Sequence, residues 1–471
     1  MAFIRYKKRK NKWYAYEITA FWDSSSRKPK QKSKYLGVSE KNGGEITKIS
    51  KIPPLVNEKT IVDFGDTFAI KQVAEREGLN DLIKNCIDDY DSIMALICHQ
   101  LTLGTAMYNC VEWFEGNIAN KLFPKATLQS QHISKLISQL GEDTIQNKFF
   151  KAYIKKFFAK TSTVLIDSTA LPSSINASLN NWGHTAEGID QKVGCLMLVD
   201  KTLKLPIYFR AIPGEIVDVS TLKVTVEQIY KLGLKPESAI LDAGYFSEDN
   251  IEFLCNEKIN FVTRMPKSRK QFMKLVDEAG KIENRANAVQ YGERVVFTKS
   301  KEINLCNNKL FAHIILDPFK KAKDVNQLII SALEEGEDKK ITNRKMKYCG
   351  YFVLITSLKL SNEEILPTYY TRQSIEQVFG FAKSNNNILP LRVHSEQSIR
   401  GYLFLVFLSL IIFVMMRNKL KLKFTVEQAL LSLRNLKAKI YEDSALVLEP
   451  SKKAKDISKL LQIIMPKTLG I

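Results

Sequence analysis

Hydrophobic and polar residues alternate with a period of two near the N terminus, which is typical of a half-buried β-strand. The alternating hydrophobic positions are Tyr14, Tyr16, Ile18, Ala20 and Trp22. A turn from Ser24 to Pro29 separates this strand from a predicted partner strand, Ser33–Val38. The Gly- and Pro-containing stretch from Gly43 to Asn57 is then predicted to be a linker.

From Asp63 to Lys160 the hydrophobic spacing changes to that of helices. One predicted buried helix face consists of Ile93, Leu96, Ile97, Leu101 and Leu103. A second amphipathic helix is predicted over Gln129–Leu140, with Thr127 as its candidate N-cap. No residue pattern in this block identifies a DNA-recognition helix.

After Thr161 the chain alternates between short apolar runs and helical segments. Strands are predicted at Thr163–Ile166, Val193–Val199, Leu205–Ile212, Ser238–Leu241 and Ile259–Thr263, and helices at Val219–Leu232 and Glu248–Glu257. This order gives three antiparallel strands that continue through right-handed crossover units. The fold class is therefore predicted to be α/β, with a ribonuclease-H-like core.

The alternation of short strands and helices is interrupted between Pro266 and Leu360. Strand-like runs occur at Arg294–Thr298, Lys309–Leu316 and Tyr351–Ser357, with Lys-rich loops predicted at Lys320–Lys323 and Lys339–Lys347. This segment is interpreted as a β-rich insertion. The apolar run Tyr402–Met416 is predicted to form a buried helix, because its roughly 15 residues fall short of a membrane span. Amphipathic segments around Val426–Leu436 and Ile457–Ile464 predict a helical C-terminal region.

These patterns divide the chain into six parts. They are a small basic β unit and linker (1–60), a helical block (61–160), the first part of the core (161–265), the β-rich insertion (266–360), the second part of the core with Glu376 (361–420) and a helical C-terminal region (421–471). The position and charge of the helical block, rather than its pattern, predict that it binds DNA.

The charge of the 471-residue chain points to a polyanionic partner. Its formal net charge is +20 and its isoelectric point is about 9.4, which favours nucleic acid. A soluble protein with a Lys-rich surface has the same composition. Near the N terminus, Lys7–Lys12 lies beside Trp13 and Tyr14; such a surface either binds a phosphate backbone and stacks on bases or forms a solvated rim.

The seven cysteines are scattered and include no Cys-x-x-Cys pair. This pattern argues against a disulfide framework and a zinc site, and fits a reducing compartment. No N-terminal signal segment is recognised. The expected location is the cytoplasm, in association with the nucleoid and without a membrane partner.

Two aspartates follow apolar runs that the predicted topology places side by side. Asp167 follows the first predicted strand and Asp242 the fourth, and these strands are expected to be parallel neighbours. Ligands bind beyond the carboxyl ends of such strands, and two carboxylates this close repel unless a cation lies between them. Mg²⁺ prefers oxygen ligands. Either aspartate alone could equally be a turn or N-cap residue.

A third acidic residue lies in the segment Tyr369–Lys383. Tyr369, Arg372, Glu376 and Lys383 are spaced to share one stripe of a helix, and Ile375, Val378 and Phe379 form its opposite, core-facing side. Glu376 would complete a site for two metal ions. The alternative is a solvent-exposed Arg–Glu pair of small energetic value.

Taken together, these motifs resemble the DDE transposases of bacterial insertion sequences. The resemblance rests on VLIDST (Val164–Thr169), ILDAGYFS (Ile240–Ser247) and the Tyr-x2-Arg-x3-Glu-x6-Lys signature, and it is to the branch with a β-strand insertion before the last acid. PGEIVDVSTL (Pro213–Leu222) is similar to a further family segment that usually has Asn at the position of Glu215.

The resemblance implies that Asp167, Asp242 and Glu376 are catalytic and bind two Mg²⁺ or Mn²⁺ ions. It implies cleavage at the terminal inverted repeats of an element and strand transfer into target DNA, with a homodimer bridging two DNA ends. Tyr369, Arg372 and Lys383 would hold the DNA backbone. Arg264 and Lys267 are further candidate phosphate contacts, although a solvated basic turn explains them equally well.

Two other functions remain open from the sequence. A nuclease of the same fold would hydrolyse DNA without strand transfer, and a catalytically inactive protein would only bind it.

Overall fold

The computed structural model describes residues 2–9, 12–23, 28–44, 46, 60–173, 177–185, 188–216, 218–384, 393, 395–421 and 423–470. The chain divides into two compact units. One contains residues 1–60 together with 439–446 and 468–470, and the other contains the remaining residues. The predicted linker Gly43–Asn57 lies almost entirely outside the described residues.

The N-terminal unit contains a three-stranded antiparallel sheet in the order β1-β2-β3. Its strands are β1 (Ala2–Arg9), β2 (Lys12–Asp23) and β3 (Lys28–Ser39). The predicted strand and its partner are confirmed. β1 was not predicted, because its lysines and arginines mask the alternating pattern.

The segment that follows is mainly helical. A short strand, β4 (Thr60–Asp63), precedes seven helices: α1 (Gly65–Arg76), α2 (Leu79–Cys86), α3 (Tyr90–Thr102), α4 (Cys110–Glu115), α5 (Ala119–Leu122), α6 (Ser130–Leu140) and α7 (Asp143–Phe157). Two details of the prediction are wrong. Gln129, not Thr127, is the N-cap of α6, and Leu103 is 43% exposed because α3 ends before it.

The next segment supplies the centre of a large mixed sheet. Its strands are β5 (Thr163–Pro172), β6 (Asn181–Thr185), β7 (Gly188–Asp200), β8 (Pro206–Pro213), β9 (Ser238–Leu241) and β10 (Asn260–Met265), with helices α8 (Leu222–Lys231) and α9 (Glu248–Asn256) between the later ones. β7 pairs antiparallel with β5 and β8, whereas β9 pairs parallel with β5 and β10. All five predicted strands and the parallel pairing of the first and fourth are confirmed.

The segment 266–360 extends the same sheet. It contains α10 (Lys270–Ala279), β11 (Ala288–Tyr291), β12 (Arg294–Leu305), β13 (Asn308–Leu316), α11 (Pro318–Glu335), α12 (Lys339–Met346) and β14 (Tyr351–Thr356). The sheet order is β11-β12-β13-β14-β10-β9-β5-β7-β6, with β8 also on β7.

The two predicted Lys-rich loops are wrong, because both segments are helical. Asp317 accepts hydrogen bonds from the backbone N–H groups of Phe319 and Lys320 at the start of α11, where Pro318 occupies the first turn. Asp338 caps α12 in the same way. These capping residues begin the two helices, and the lysines that follow favour helix continuation because lysine has good helix propensity.

The signature segment forms two helices rather than the predicted single one. α13 (Ile365–Tyr370) ends before Thr371 and Arg372, and α14 (Gln373–Ser384) follows. Between them the backbone bonds tighten to an i→i−3 pattern, with Arg372 N donating to Tyr369 O over 3.2 Å. The Thr371 hydroxyl also donates to Thr368 O over 2.6 Å and so competes with the helix ladder.

Helix α15 (Glu396–Leu420) lies at the centre of the core. It is long and apolar enough to cross a membrane, but 94% of its most apolar window is buried inside the protein. This confirms the predicted buried helix. α15 packs so closely on α6 that a Cβ on Gly401 would collide with the backbone of Ile137.

The C-terminal region is only partly helical. It contains α16 (Val426–Arg434), β15 (Lys437–Ile440), β16 (Ser444–Val447), α17 (Lys452–Leu461) and β17 (Thr468–Gly470). β16 and β17 pair antiparallel. The all-helical expectation is therefore wrong for these strands, each of which has at most four residues and is too short to show a period.

Candidate active site

The parallel pairing of β5 and β9 brings Asp167 and Asp242 together. The last paired residues are Ile166 and Leu241, so the two aspartates occupy the next position on neighbouring strands, which lie about 4.8 Å apart. Asp242 directly follows β9, as predicted. Asp167 does not end its strand, because β5 continues to Pro172 and Asp167 pairs with Met197 of β7.

The guanidinium of Arg372 joins these aspartates to Glu376. Arg372 Nη1 lies 2.6 Å from Asp167 Oδ2, and Nη2 lies 2.9 Å from Glu376 Oε1 and 3.5 Å from Asp242 Oδ1. The Asp242 and Glu376 oxygens therefore share one nitrogen neighbour. The structure thus gathers the three predicted acidic residues around one positive group.

The three carboxylates differ in their exposure to solvent. The side chain of Asp167 is 12% exposed, against 39% for Asp242 and 52% for Glu376. Burial raises the pKa of Asp167 to about 6, with Arg372 opposing the rise and Asp242 adding to it. Burial disfavours the charged form of Arg372, but Asp167 and the other acids outweigh it and raise the Arg372 pKa.

Tyr369 is part of the same cluster. Its hydroxyl donates a hydrogen bond to Asp242 Oδ1 over 3.3 Å, and the Arg372 guanidinium carbon lies 5.8 Å from the centre of its ring. Burial, together with the negative charge of Asp242, raises the Tyr369 pKa. The phenol therefore stays protonated and acts as a donor to Asp242.

Lys383 lies farther along α14. With Thr169 of β5 and Cys195 of β7 it lines a small, mainly apolar cavity. Burial lowers its pKa. Thr169 is two residues beyond Asp167 on the same strand face, so Lys383 is a neighbour of the acidic cluster rather than a member of it.

The two remaining predicted contacts are Arg264 and Lys267. Arg264 follows Thr263, which pairs with Leu241, and so lies beside Asp242 on the neighbouring strand. Arg264 is inside β10 rather than beyond it, and its guanidinium lies 5.4 Å from the ring centre of Phe352. Lys267 forms an ion pair with Asp324 over 2.9 Å. Their DNA-binding roles stay predictions.

Sequence reasoning missed two features beside the cluster. Asp218 Oδ1 accepts a hydrogen bond from Ser168 Oγ over 2.5 Å, and the ring of Tyr291 in β11 stacks on Tyr370 at 5.2 Å. Asp218 lies within the segment Pro213–Leu222, but nothing in its local pattern indicates that it reaches Ser168.

The donor set suits a divalent cation. Three carboxylates offer only oxygen ligands, the type that Mg²⁺ and Mn²⁺ prefer. Among the described residues, no group of three acidic, histidine or cysteine side chains is arranged to hold an ion directly. At the acidic cluster the Arg372 guanidinium provides the positive charge. The residues therefore fit a metal ion once that guanidinium moves aside.

Comparison with known proteins identifies the family. The family model described as "Transposase DDE domain" matches residues 159–412, which is more than half of the chain. No curated protein matches the chain. A solved structure of the piggyBac transposase synaptic complex with hairpin DNA is similar at a TM-score of 0.42 and 9% identity, covering 79% of this chain and 70% of that one. This likeness is too low to add to the assignment, which rests on the family match: the chain belongs to the DDE-domain transposases and is a DNA transposase.

Proposed function

We propose that Asp167, Asp242 and Glu376 are the catalytic carboxylates of this transposase and that they bind two Mg²⁺ or Mn²⁺ ions. The observation that carries the proposal is their convergence on the Arg372 guanidinium from two strands and a helix. Transposases with this domain generally use divalent metal ions. Such ions activate the attacking oxygen and stabilise the leaving oxygen in phosphodiester displacement.

The reaction we propose has two steps at the ends of an insertion sequence. Water first attacks a phosphodiester, the P–O3′ bond breaks, and the element end is released with a 3′-hydroxyl. That hydroxyl then attacks a phosphodiester of target DNA, so one P–O bond forms while another breaks. In the first step a P–O bond to the attacking water replaces the P–O3′ bond, and in the second step a new phosphodiester bond replaces one in the target DNA. Neither step therefore requires a nucleotide cofactor.

The residues around the acids have positioning and binding roles in this proposal. The Tyr369 hydroxyl orients Asp242 through its hydrogen bond. Arg372 neutralises the acids before ions and DNA bind, and then turns toward the scissile phosphate. Lys383, Arg264 and Lys267 supply positive charge to the DNA backbone.

The strand arrangement supports a ribonuclease-H-like core. In the order β8-β7-β5-β9-β10, the first three strands are antiparallel and the next two run parallel to β5. Strands β11–β13 precede the last acid in the chain. This placement supports membership of the branch that combines a β-strand insertion with the Tyr-Arg-Glu-Lys signature.

The proposed partners are double-stranded DNA at the terminal inverted repeats, the target DNA and a second copy of the chain. The net charge of +20 favours such a polyanion. A homodimer would hold both element ends in one complex. The proposed location is the cytoplasm, on the nucleoid.

The test is an assay with labelled duplexes carrying the DNA that flanks the coding sequence, in Mg²⁺ and with a target plasmid. Labelled ends joined to the plasmid support transposition. Cut ends without joining would indicate a nuclease, and a bound but uncut duplex would indicate an inactive binding protein. Both of the latter results contradict the proposal.

A further inference from the structure

A fourth carboxylate, that of Asp218, contacts the strand that carries Asp167. Asp218 begins a 3-10 turn, Asp218–Ser220, and its Oδ1 accepts the 2.5 Å hydrogen bond from Ser168 Oγ. The backbone N–H of Ser168 in turn donates to Asp167 Oδ1 over 2.9 Å. Asp218 therefore restrains Ser168, and Ser168 in turn restrains the Asp167 carboxylate.

The other Asp218 oxygen lies against the turn that follows Asp242. That turn is the 3-10 segment Ala243–Tyr245. A Cβ on Gly244 would lie 2.9 Å from Asp218 Oδ2, closer than real Cβ contacts permit. Only glycine at position 244 lets the Asp218 carboxylate approach the Asp242 turn this closely, because any other residue would place a Cβ in that space.

A buried amide fixes the two turns to each other. Asn250 of α9 is 6% exposed, and its Nδ2 donates to Val219 O and to Tyr245 O, both over 2.8 Å. One side chain thus ties the Asp218 turn to the Asp242 turn. A buried amide donor that lost its acceptor would be left unsatisfied, which is destabilising, so the two turns are held as one unit.

We infer that Asp218 is a positioning residue of the catalytic site, which sets the separation of the Asp167 and Asp242 carboxylates. It reaches Asp167 through Ser168, and it reaches the Asp242 turn through Gly244 and Asn250. A neutral side chain could fill the same space, but a carboxylate also adds negative potential beside two acids and so favours a cation there. The inference rests on the proposed function, since it assigns Asp218 to the proposed metal-binding pair.

The test is Mn²⁺ titration of the full-length chain, with free Mn²⁺ followed by electron paramagnetic resonance. Residues that orient metal ligands typically change metal affinity 10–100-fold when substituted. We expect Asp218→Asn, Ser168→Ala and Gly244→Ala each to weaken Mn²⁺ binding about tenfold or more. Ser168→Thr keeps the hydroxyl and should restore wild-type affinity.

The matched control is Asp249→Asn, which removes one charge from an exposed position at the start of α9. It should leave Mn²⁺ affinity unchanged. Circular dichroism melting of each variant distinguishes loss of the fold from loss of the metal site. The pair Ser168→Ala and Ser168→Thr tests the positioning role of Asp218 without changing a residue of either turn.

Two results would be decisive against these assignments. Wild-type Mn²⁺ affinity in Asp218→Asn and Ser168→Ala, with binding abolished in Asp167→Asn, would overturn the role of Asp218 alone. Undiminished Mn²⁺ binding in Asp167→Asn would overturn the proposed catalytic site itself.

Discussion

Arg372 Nη1 lies 2.6 Å from Asp167 Oδ2, although 205 residues separate the two in the chain. The Asp167 carboxylate is nearly buried, and a buried charge requires a partner. Before any ion binds, Arg372 is that partner. A divalent ion at the proposed catalytic site would have to compete with the guanidinium for the same oxygens, so in that proposal Arg372 holds the place of the metal.

The first prediction follows from this competition. Arg372→Gln should lower the free energy of unfolding of the metal-free protein by about 2 kcal/mol. This is less than the roughly 3–5 kcal/mol lost when a fully buried pair is broken, because Asp242 and Glu376 reach solvent. Mn²⁺ affinity should rise about tenfold or more, since a competing positive charge is gone. Urea unfolding and Mn²⁺ titration measure the two effects.

The control for this experiment is Arg264→Gln. It removes a nearby arginine that stacks over Phe352 and should change Mn²⁺ affinity much less. Weaker Mn²⁺ binding in Arg372→Gln would show that Arg372 supports the metal site rather than competing with it.

A second prediction concerns Glu376. Its side chain is 52% exposed, so Glu376→Gln should leave the melting temperature nearly unchanged. DNA cleavage should be abolished while DNA affinity is retained, because the variant loses a metal-binding charge rather than a phosphate contact. Glu363→Gln, at an exposed position before α13, is the matched control in gel-shift and cleavage assays. Retained cleavage in Glu376→Gln would exclude Glu376 from the catalytic set.

The raised pKa of Asp167 gives a third prediction. Its ordinary value is 3.8 and its value in the folded protein is about 6, so the folded state binds this proton more tightly than the unfolded state. Relative to Asp167→Asn, the wild type should therefore lose stability as pH rises from about 4 to about 6. The total loss should be roughly 2–3 kcal/mol. Urea unfolding of both proteins across this range, without metal, measures it. A constant difference would mean that Asp167 titrates normally.

The sequence was sufficient to predict which strands carry the two aspartates, because apolar runs and strand order determine that neighbourhood. It could not predict that Asp167 lies inside its strand. β5 continues through the polar Ser168 and Thr169 because its pairing with β7 supplies hydrogen-bond partners, and such pairing is non-local.

The contacts between the site residues were harder to predict from the sequence than the identity of those residues. Spacing placed Arg372 and Glu376 on one helix, but Arg372 lies in the break between α13 and α14, from which it contacts Asp167. At that break the hydroxyl of Thr371 donates to Thr368 O. Asp218 is a similar case, since its importance comes from Ser168 and Gly244, which are 50 and 26 residues away.

The N-terminal sheet gives the last prediction, which concerns DNA binding. Four lysines of β3 alternate in sequence and so share one face of an edge strand: Lys28, Lys30, Lys32 and Lys34. Alternate residues advance about 6.6 Å along a strand, close to twice the spacing of about 3.4 Å per phosphate of one DNA strand, measured along the helix axis. Of these lysines, Lys30 forms an ion pair with Asp23. This column of charge matches a phosphate backbone.

Replacing all four lysines by alanine should weaken binding of the full-length chain to duplex DNA and reduce its salt dependence. Each lost phosphate contact lowers the slope of log affinity against log salt by about 0.9, so the expected reduction is about 3–4. The matched control removes four lysines of α17: Lys452, Lys453, Lys455 and Lys459. Fluorescence anisotropy between 50 and 200 mM salt, about the range in which such contacts are screened, measures both variants. Equal slopes for the two would show that net charge alone, rather than this column, accounts for DNA binding, because the same charge has been removed from both.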